Sequence, residues 1–209
     1  MAHVPAAVRR AQIVEAATAV IARDGVAGTT TRAIAGEAGL SLATLHYVFA
    51  GKDEVLAAVL EALLEEGKRA LEASTPQAGD APIGLADALY HLARTYWQGI
   101  RSDPGTQRVQ YELTLYAMRT PQAAHLGRAL YEYYLEATET LIRDACERAG
   151  ETPRTPVRDL AHLAVSGIDG ILLQYLVLDD DEQARRSLDN LIHGILALAT
   201  APESSGQRI

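Results

Sequence analysis

The chain has 209 residues, 48% of them hydrophobic and 22% charged, with a net charge of -8. These proportions allow a real core and exclude a largely disordered chain. The single cysteine, Cys146, excludes an internal disulfide and any multi-cysteine zinc site. The greasiest segment, Leu160 to Leu178, is broken by His162, Asp169 and Gln174, so no membrane span is expected. Charges at Arg9 and Arg10 leave no apolar leader for export, and a cytoplasmic location is expected. Charge is uneven along the chain: residues 1–52 hold five basic against three acidic residues, and the acidic excess lies beyond them. Only the first quarter suits phosphate.

Apolar residues recur at helical spacing nearly everywhere, without sustained alternation, so the class is all-α with about nine helices. The first is predicted from about Ala6 to Asp24, stopped by Gly25. A short second helix, about Thr31 to Ala38, ends at Gly39. Ser41 caps a third running to about Val48. The fourth runs from Lys52 to about Ala73 until STPQAGDAP breaks the pattern. A fifth spans Ile83 to about Arg101 and is ended by SDPG, and a sixth spans about Thr106 to Met118. Pro121 opens a seventh that reaches about Ala149. Two more follow, Val157 to about Leu178 and Glu182 to about Thr200, before a frayed tail, PESSGQRI.

The most informative stretch is Thr29 to Leu56, TTTRAIAGEAGLSLATLHYVFAGKDEVL. Two very short helices joined by Ala38-Gly39-Leu40-Ser41 have helix-turn-helix spacing: Gly39 permits the sharp turn, Leu40 plugs the angle and Ser41 caps. So short a helix has little reason to exist as core, and serves better as a rod laid across a major groove. Leu42, Ala43, Thr44, His46 and Tyr47 surround the inward Leu45. Lys52 puts a cation where the helix dipole disfavours it, a local rule broken in a way that suits a phosphate contact.

This segment resembles the TetR family of one-component transcription regulators in its T-T-R-x-I-A, A-G-L-S-x-x-T-L-x-Y-x-F and K-D-E-V-L patterns. The resemblance implies a DNA-reading domain over residues 1–52 and a helical effector-binding and dimerisation domain over residues 53–209. By position it implies phosphate contacts at Thr31, Arg32, Tyr47 and Lys52 and a groove-facing set of Leu42, Ala43, Thr44 and His46. Ala43 stands where Gly is common, Val48 where His or Tyr is frequent, and Gly51 where a Ser would cap the fourth helix.

Eight of nine tyrosines lie beyond residue 89, against one Phe in the whole chain. A tyrosine adds a hydroxyl to an apolar ring, so Tyr96, Trp97, Tyr111, Tyr116, Met118, Tyr134, His162, Gln174 and Tyr175 are expected to line an amphipathic pocket. Small residues Ala164, Gly167 and Gly170, with Ile171, and the stripe Leu188, Leu191, Ile192 and Ile195 suggest a homodimer interface built from the last two helices. The rival reading is an all-α enzyme or small-molecule-binding protein. His162, Ser166 and Asp169 share one helical stripe, poor geometry for a triad. Glu132, Glu136 and Glu139 lack the histidines of a metal site. No cofactor fingerprint is present. The expectation is a repressor of a palindromic operator, released by a small amphipathic ligand, since the chain shows no spare segment for recruiting polymerase.

Overall fold

The computed structural model describes residues 5–74 and 84–200, with the backbone only for residues 70–74. The proline-rich break after the fourth helix, the expected helix start at Ile83 and the expected frayed tail lie outside the described residues. Among the described residues there are nine helices and no strand: α1 Ala6–Gly28, α2 Thr31–Glu37, α3 Leu42–Val48, α4 Lys52–Ser74, α5 Leu85–Ser102, α6 Pro104–Arg119, α7 Ala124–Ala149, α8 Val157–Leu178 and α9 Asp181–Thr200.

Two helix starts differ from expectation for local reasons. SDPG was expected as a stop, but it also begins α6: Asp103 accepts the Gly105 and Thr106 N–H groups, and Pro104 fills the first helical position, where its missing N–H costs nothing. Pro121 does not open α7. Thr120 to Ala123 first make a turn, with Ala123 N–H on the Thr120 carbonyl at 2.9 Å. Gly25 breaks α1 as expected, with φ 71° and ψ 168°, yet one further turn follows it to Gly28.

The contacts divide the chain into two compact units. The first comprises the described residues of Met1–Ala73 and Asp103–Leu130. Its core contains Ile13, Ile21, Ile34, Leu45, Phe49, Leu56 and Leu113, each almost wholly buried. α1 packs on α2, α3 and α6. The second unit comprises the described residues of Ser74–Ser102 and Tyr131–Ile209. Leu85, Leu89 and Ala93 of α5 meet Ile142 and Cys146 of α7, Leu160 and Ala164 of α8, and Ile192 and Ile195 of α9. By length and composition alone α8 is apolar enough to cross a membrane, with a mean hydropathy of 1.5 over an 18-residue window, a test that core helices also pass. Little of that window is buried within the chain.

Candidate functional site

The turn between α2 and α3 is a Schellman motif. Gly39 sits at φ 64°, Leu40 N–H bonds the Ala35 carbonyl at 2.9 Å and Gly39 N–H bonds the Gly36 carbonyl at 3.1 Å. Thr30 caps α2 through the Ala33 N–H. Ser41 caps α3 through the Thr44 N–H at 3.0 Å and also bonds the Thr44 hydroxyl at 2.8 Å. Leu45 is the one side chain of α3 that is fully buried. Arg32, Leu42, Ala43, His46 and Tyr47 are exposed, and Thr31, Thr44 and Lys52 are half-buried. The eight residues expected to meet DNA thus all lie on or beside two short helices, and Tyr47 is 86% exposed.

Charge around these helices is partly consumed internally. Arg10 lies in α1, with its guanidinium 4.8 Å from the Phe49 ring centroid and 3.3 Å from Glu61. Arg23 pairs with Asp24 and Glu37; its hydrogen bond to Asp24, then that to Glu37, holds its pKa above the ordinary value. Of the five basic residues in 1–52, Arg9, Arg32 and Lys52 remain to offer charge outward. Lys52 Nζ also donates to the Val26 carbonyl at 2.7 Å. A lysine has three donors, so that bond leaves two for a phosphate. Glu54 reaches back to the Ala50 N–H at 2.6 Å, fastening the entry to α4 that Gly51 cannot cap.

The aromatic residues divide between the two units. Tyr111, Tyr116 and Met118 belong to α6 in the first unit, and Met118 is 75% exposed. On the same helix, Gln107 buries its amide oxygen without a partner among the described residues. In the second unit the Trp97 indole N–H donates to Asp181 at 3.2 Å, and its ring meets Tyr175 edge-on at 4.8 Å. Tyr131, overlooked in the sequence, donates its hydroxyl to Asp169 at 2.5 Å and lies 6.2 Å, ring to ring, from Tyr134. Burial, followed by Tyr134, Asp169 and Tyr131, pushes the Tyr96 phenol pKa far up; burial and then Asp169 do the same for Tyr131. Both phenols therefore stay protonated and able to donate at neutral pH. His162 and Gln174 are exposed. The signal that could have found this cluster is Asp169 itself, one acid in the middle of the most apolar helix, which needs a donor there. Its hydrogen bond runs to Tyr131, not to a catalytic histidine. Two small cavities in this unit measure about 10 and 20 Å³, the scale of a water.

Residues 13–59 match the family described as bacterial regulatory proteins, tetR family, and residues 85–197 match the BetI-type transcriptional repressor C-terminal family. The chain belongs to the TetR family. It is 39% identical over 201 residues to the transcriptional regulator BetI of Brucella canis, covering 95% of each chain. It is 31% identical over 188 residues to the nicotine-responsive transcriptional repressor HdnoR of Paenarthrobacter nicotinovorans, covering 90% of this chain and 94% of that relative. The crystal structure of the multidrug binding protein EbrR with ethidium matches at a TM-score of 0.63 and 29% identity, over 88% of this chain and 98% of that one. The protein is a DNA-binding, ligand-responsive transcriptional repressor. TetR regulators bind operator DNA and small-molecule effectors and work as dimers, and the family is one of transcription factors rather than enzymes.

In this TetR-family chain the residues expected to pair two protomers fall on different faces. Ala164, Leu188, Ile192 and Ile195 are buried in the core of their own chain, where Leu89 and Ala93 of α5 already cover them. Gly167 serves the same internal packing: a Cβ there would lie 2.5 Å from the Leu191 side chain. Ile171 and Leu191 are half-buried, and Gly170 is open, with nothing within 4 Å of an added Cβ. The exposed face of α8 instead presents Leu163, Ser166, Gly170, Leu173 and Val177. That spacing of three and four is the seam pattern of paired helices.

Proposed function

We propose that this repressor binds a palindromic operator as a cytoplasmic homodimer, with residues 1–52 reading DNA and residues 53–209 taking up the effector and joining the protomers. The observation that carries the reading is α3, a seven-residue helix anchored by Leu45 alone and left open over Leu42, Ala43, His46 and Tyr47. An aromatic ring standing in water forgoes about 1.5 to 3 kcal/mol of burial, which contact with a duplex would recover. Arg32, Lys52, Thr31 and Tyr47 hold phosphates and set the register; Leu42, Ala43, Thr44 and His46 face base edges. Each protomer contributes one α3, and the exposed seam of α8, with Gly170 at its centre, pairs the two.

The effector is a small amphipathic molecule taken up by the tyrosine-rich second unit, among Tyr96, Trp97, Tyr134 and Tyr175. Aromatic faces around Asp169 suit a ligand carrying a positively charged nitrogen. The nicotine-responsive relative and the ethidium complex of EbrR support that class. Selection of duplexes from a random pool by the purified protein tests the reading: a palindromic consensus with half-sites about one helical turn apart is expected. Recovery of sequences without symmetry would defeat the dimeric arrangement, and recovery of none would defeat operator binding itself.

A further inference from the structure

Gly25 interrupts α1 with a left-handed φ, and the amide that follows it is taken by a residue 86 positions away. Val26 N–H donates to Glu112 Oε2 of α6 at 2.6 Å, while the carbonyl of the same residue accepts the Lys52 ammonium at 2.7 Å. Val26 is therefore gripped from both sides, by α6 and by the first residue of α4. Glycine is favoured beside this grip by the φ of 71° at residue 25, and a Cβ there would also stand 3.1 Å from the carboxylate oxygen, a tight contact. Thr29 closes the turn with its N–H and hydroxyl both on the Gly25 carbonyl, at 3.1 and 2.7 Å. Further along α1, Gln12 donates to the Ala38 carbonyl at 2.8 Å, where α2 gives way to the turn before α3.

We propose that Glu112 is a positioning residue for operator binding, holding the end of α1 through Val26 and so fixing the angle at which α1, the start of α4 and the recognition helix α3 are presented. The proposal rests on the operator-binding reading above. Glu112 is exposed, and one exposed hydrogen bond adds little to global stability. Its effect is geometric. Productive half-sites are separated by about 34 to 36 Å, and a small tilt at the base of α1 moves α3 out of the groove of the second half-site.

The test compares the operator selected by the unmodified protein with duplexes carrying one base pair more or fewer between half-sites. Unmodified protein discriminates strongly among the three. Glu112→Ala is expected to lose about fivefold on the original operator, the low end of a coupling between a positioning contact and a binding site. It should also lose most of its spacing discrimination while its unfolding midpoint stays put. Glu112→Gln, whose amide oxygen can accept the same N–H, is expected to restore both. If Glu112→Ala does not fold, Glu112→Asp replaces it, since a carboxylate one methylene shorter keeps the charge and loses the reach. Unchanged spacing discrimination in the variant that binds DNA, or no recovery with Gln, overturns the assignment to Glu112 alone. Failure of the unmodified protein to select any operator overturns the operator reading and this proposal with it.

Discussion

Between Leu42 and Val48 one buried side chain, Leu45, holds a helix whose remaining positions stay wet or half-wet, whereas α8 and α9 bury a stripe in a core shared with α5 and α7, and α8 leaves a second apolar stripe on the surface. In α3 the small buried area means that the caps and the turn at Gly39 decide whether the helix exists. In α8 and α9 the inner stripe decides it, and the outer apolar face of α8 is the one assigned to a partner under the proposed dimer. Apolar residues at helical spacing therefore have two meanings here, and the fully buried face of a helix is the one least able to report on assembly.

The largest effect expected from breaking that comparison is at Ile195, which is wholly buried. Ile195→Glu places a charge in the core and should cost several kcal/mol, enough to prevent folding of a marginally stable domain. Leu173→Glu, on the exposed face of α8, should leave the helix content and unfolding of the protomer unchanged while shifting light scattering from dimer to monomer. A monomeric but folded Ile195→Glu variant, or a dimeric Leu173→Glu variant, would reverse the two faces.

The same contrast applies within α3. Leu45→Ala should destabilise the first unit by about 2 to 5 kcal/mol in denaturant unfolding, as for other buried leucines. Tyr47→Ala should leave stability unchanged and weaken operator binding by about tenfold or more, measured by fluorescence anisotropy. A Tyr47 variant that binds as well as the parent would make the exposed ring incidental.

The helix-turn-helix was legible because its signals are local: Gly39 must be left-handed, Ser41 must cap, and both are written within four residues. α6 began earlier than expected because Asp103 and Pro104 carry two meanings, a turn after α5 and a cap with a first-position proline before α6, and only the structure shows that both hold. The α9 stripe expected at an interface packs inside its own chain for a tertiary reason. The most apolar face of a helix packs on whichever neighbour reaches it, and α5 of the same chain reaches Leu188, Ile192 and Ile195 first. The pairing of Tyr131 with Asp169, 38 residues apart, has no sequence signature beyond an acid stranded in an apolar helix.

Lys52 sharpens the comparison at smaller amplitude, since it has an internal partner in the Val26 carbonyl and, under the proposed function, an external one in phosphate. Lys52→Ala should lower operator affinity evenly across related operators and reduce the salt slope by about one for each protomer. His46→Ala, at an exposed member of the groove-facing set, should leave the salt slope alone and change which bases are preferred. An unchanged slope for Lys52→Ala would confine that lysine to its bond with Val26.

The smallest expected effect concerns Asp103, whose carboxylate caps α6 through three hydrogen bonds, two from the Gly105 and Thr106 N–H groups and one from the Thr106 hydroxyl at 2.6 Å. The Thr106 hydroxyl, ahead of the backbone donors, holds its pKa below the ordinary 3.8. A carboxyl whose folded pKa lies below its unfolded value stabilises fully above the unfolded value and loses that contribution as pH falls through the folded one. Asp103→Asn keeps an oxygen that can cap but removes the charge from the helix N-terminus. The group is exposed, so the difference at neutral pH should be only about 0.3 to 1 kcal/mol, the range for a solvated charge at a helix end. Denaturant unfolding of both proteins from pH 7 down to pH 3 should show that gap constant at first and shrinking once pH drops below about 4. A gap that persists unchanged at the acid end would mean that the carboxylate charge contributes nothing and that the shape of the cap alone holds the start of α6.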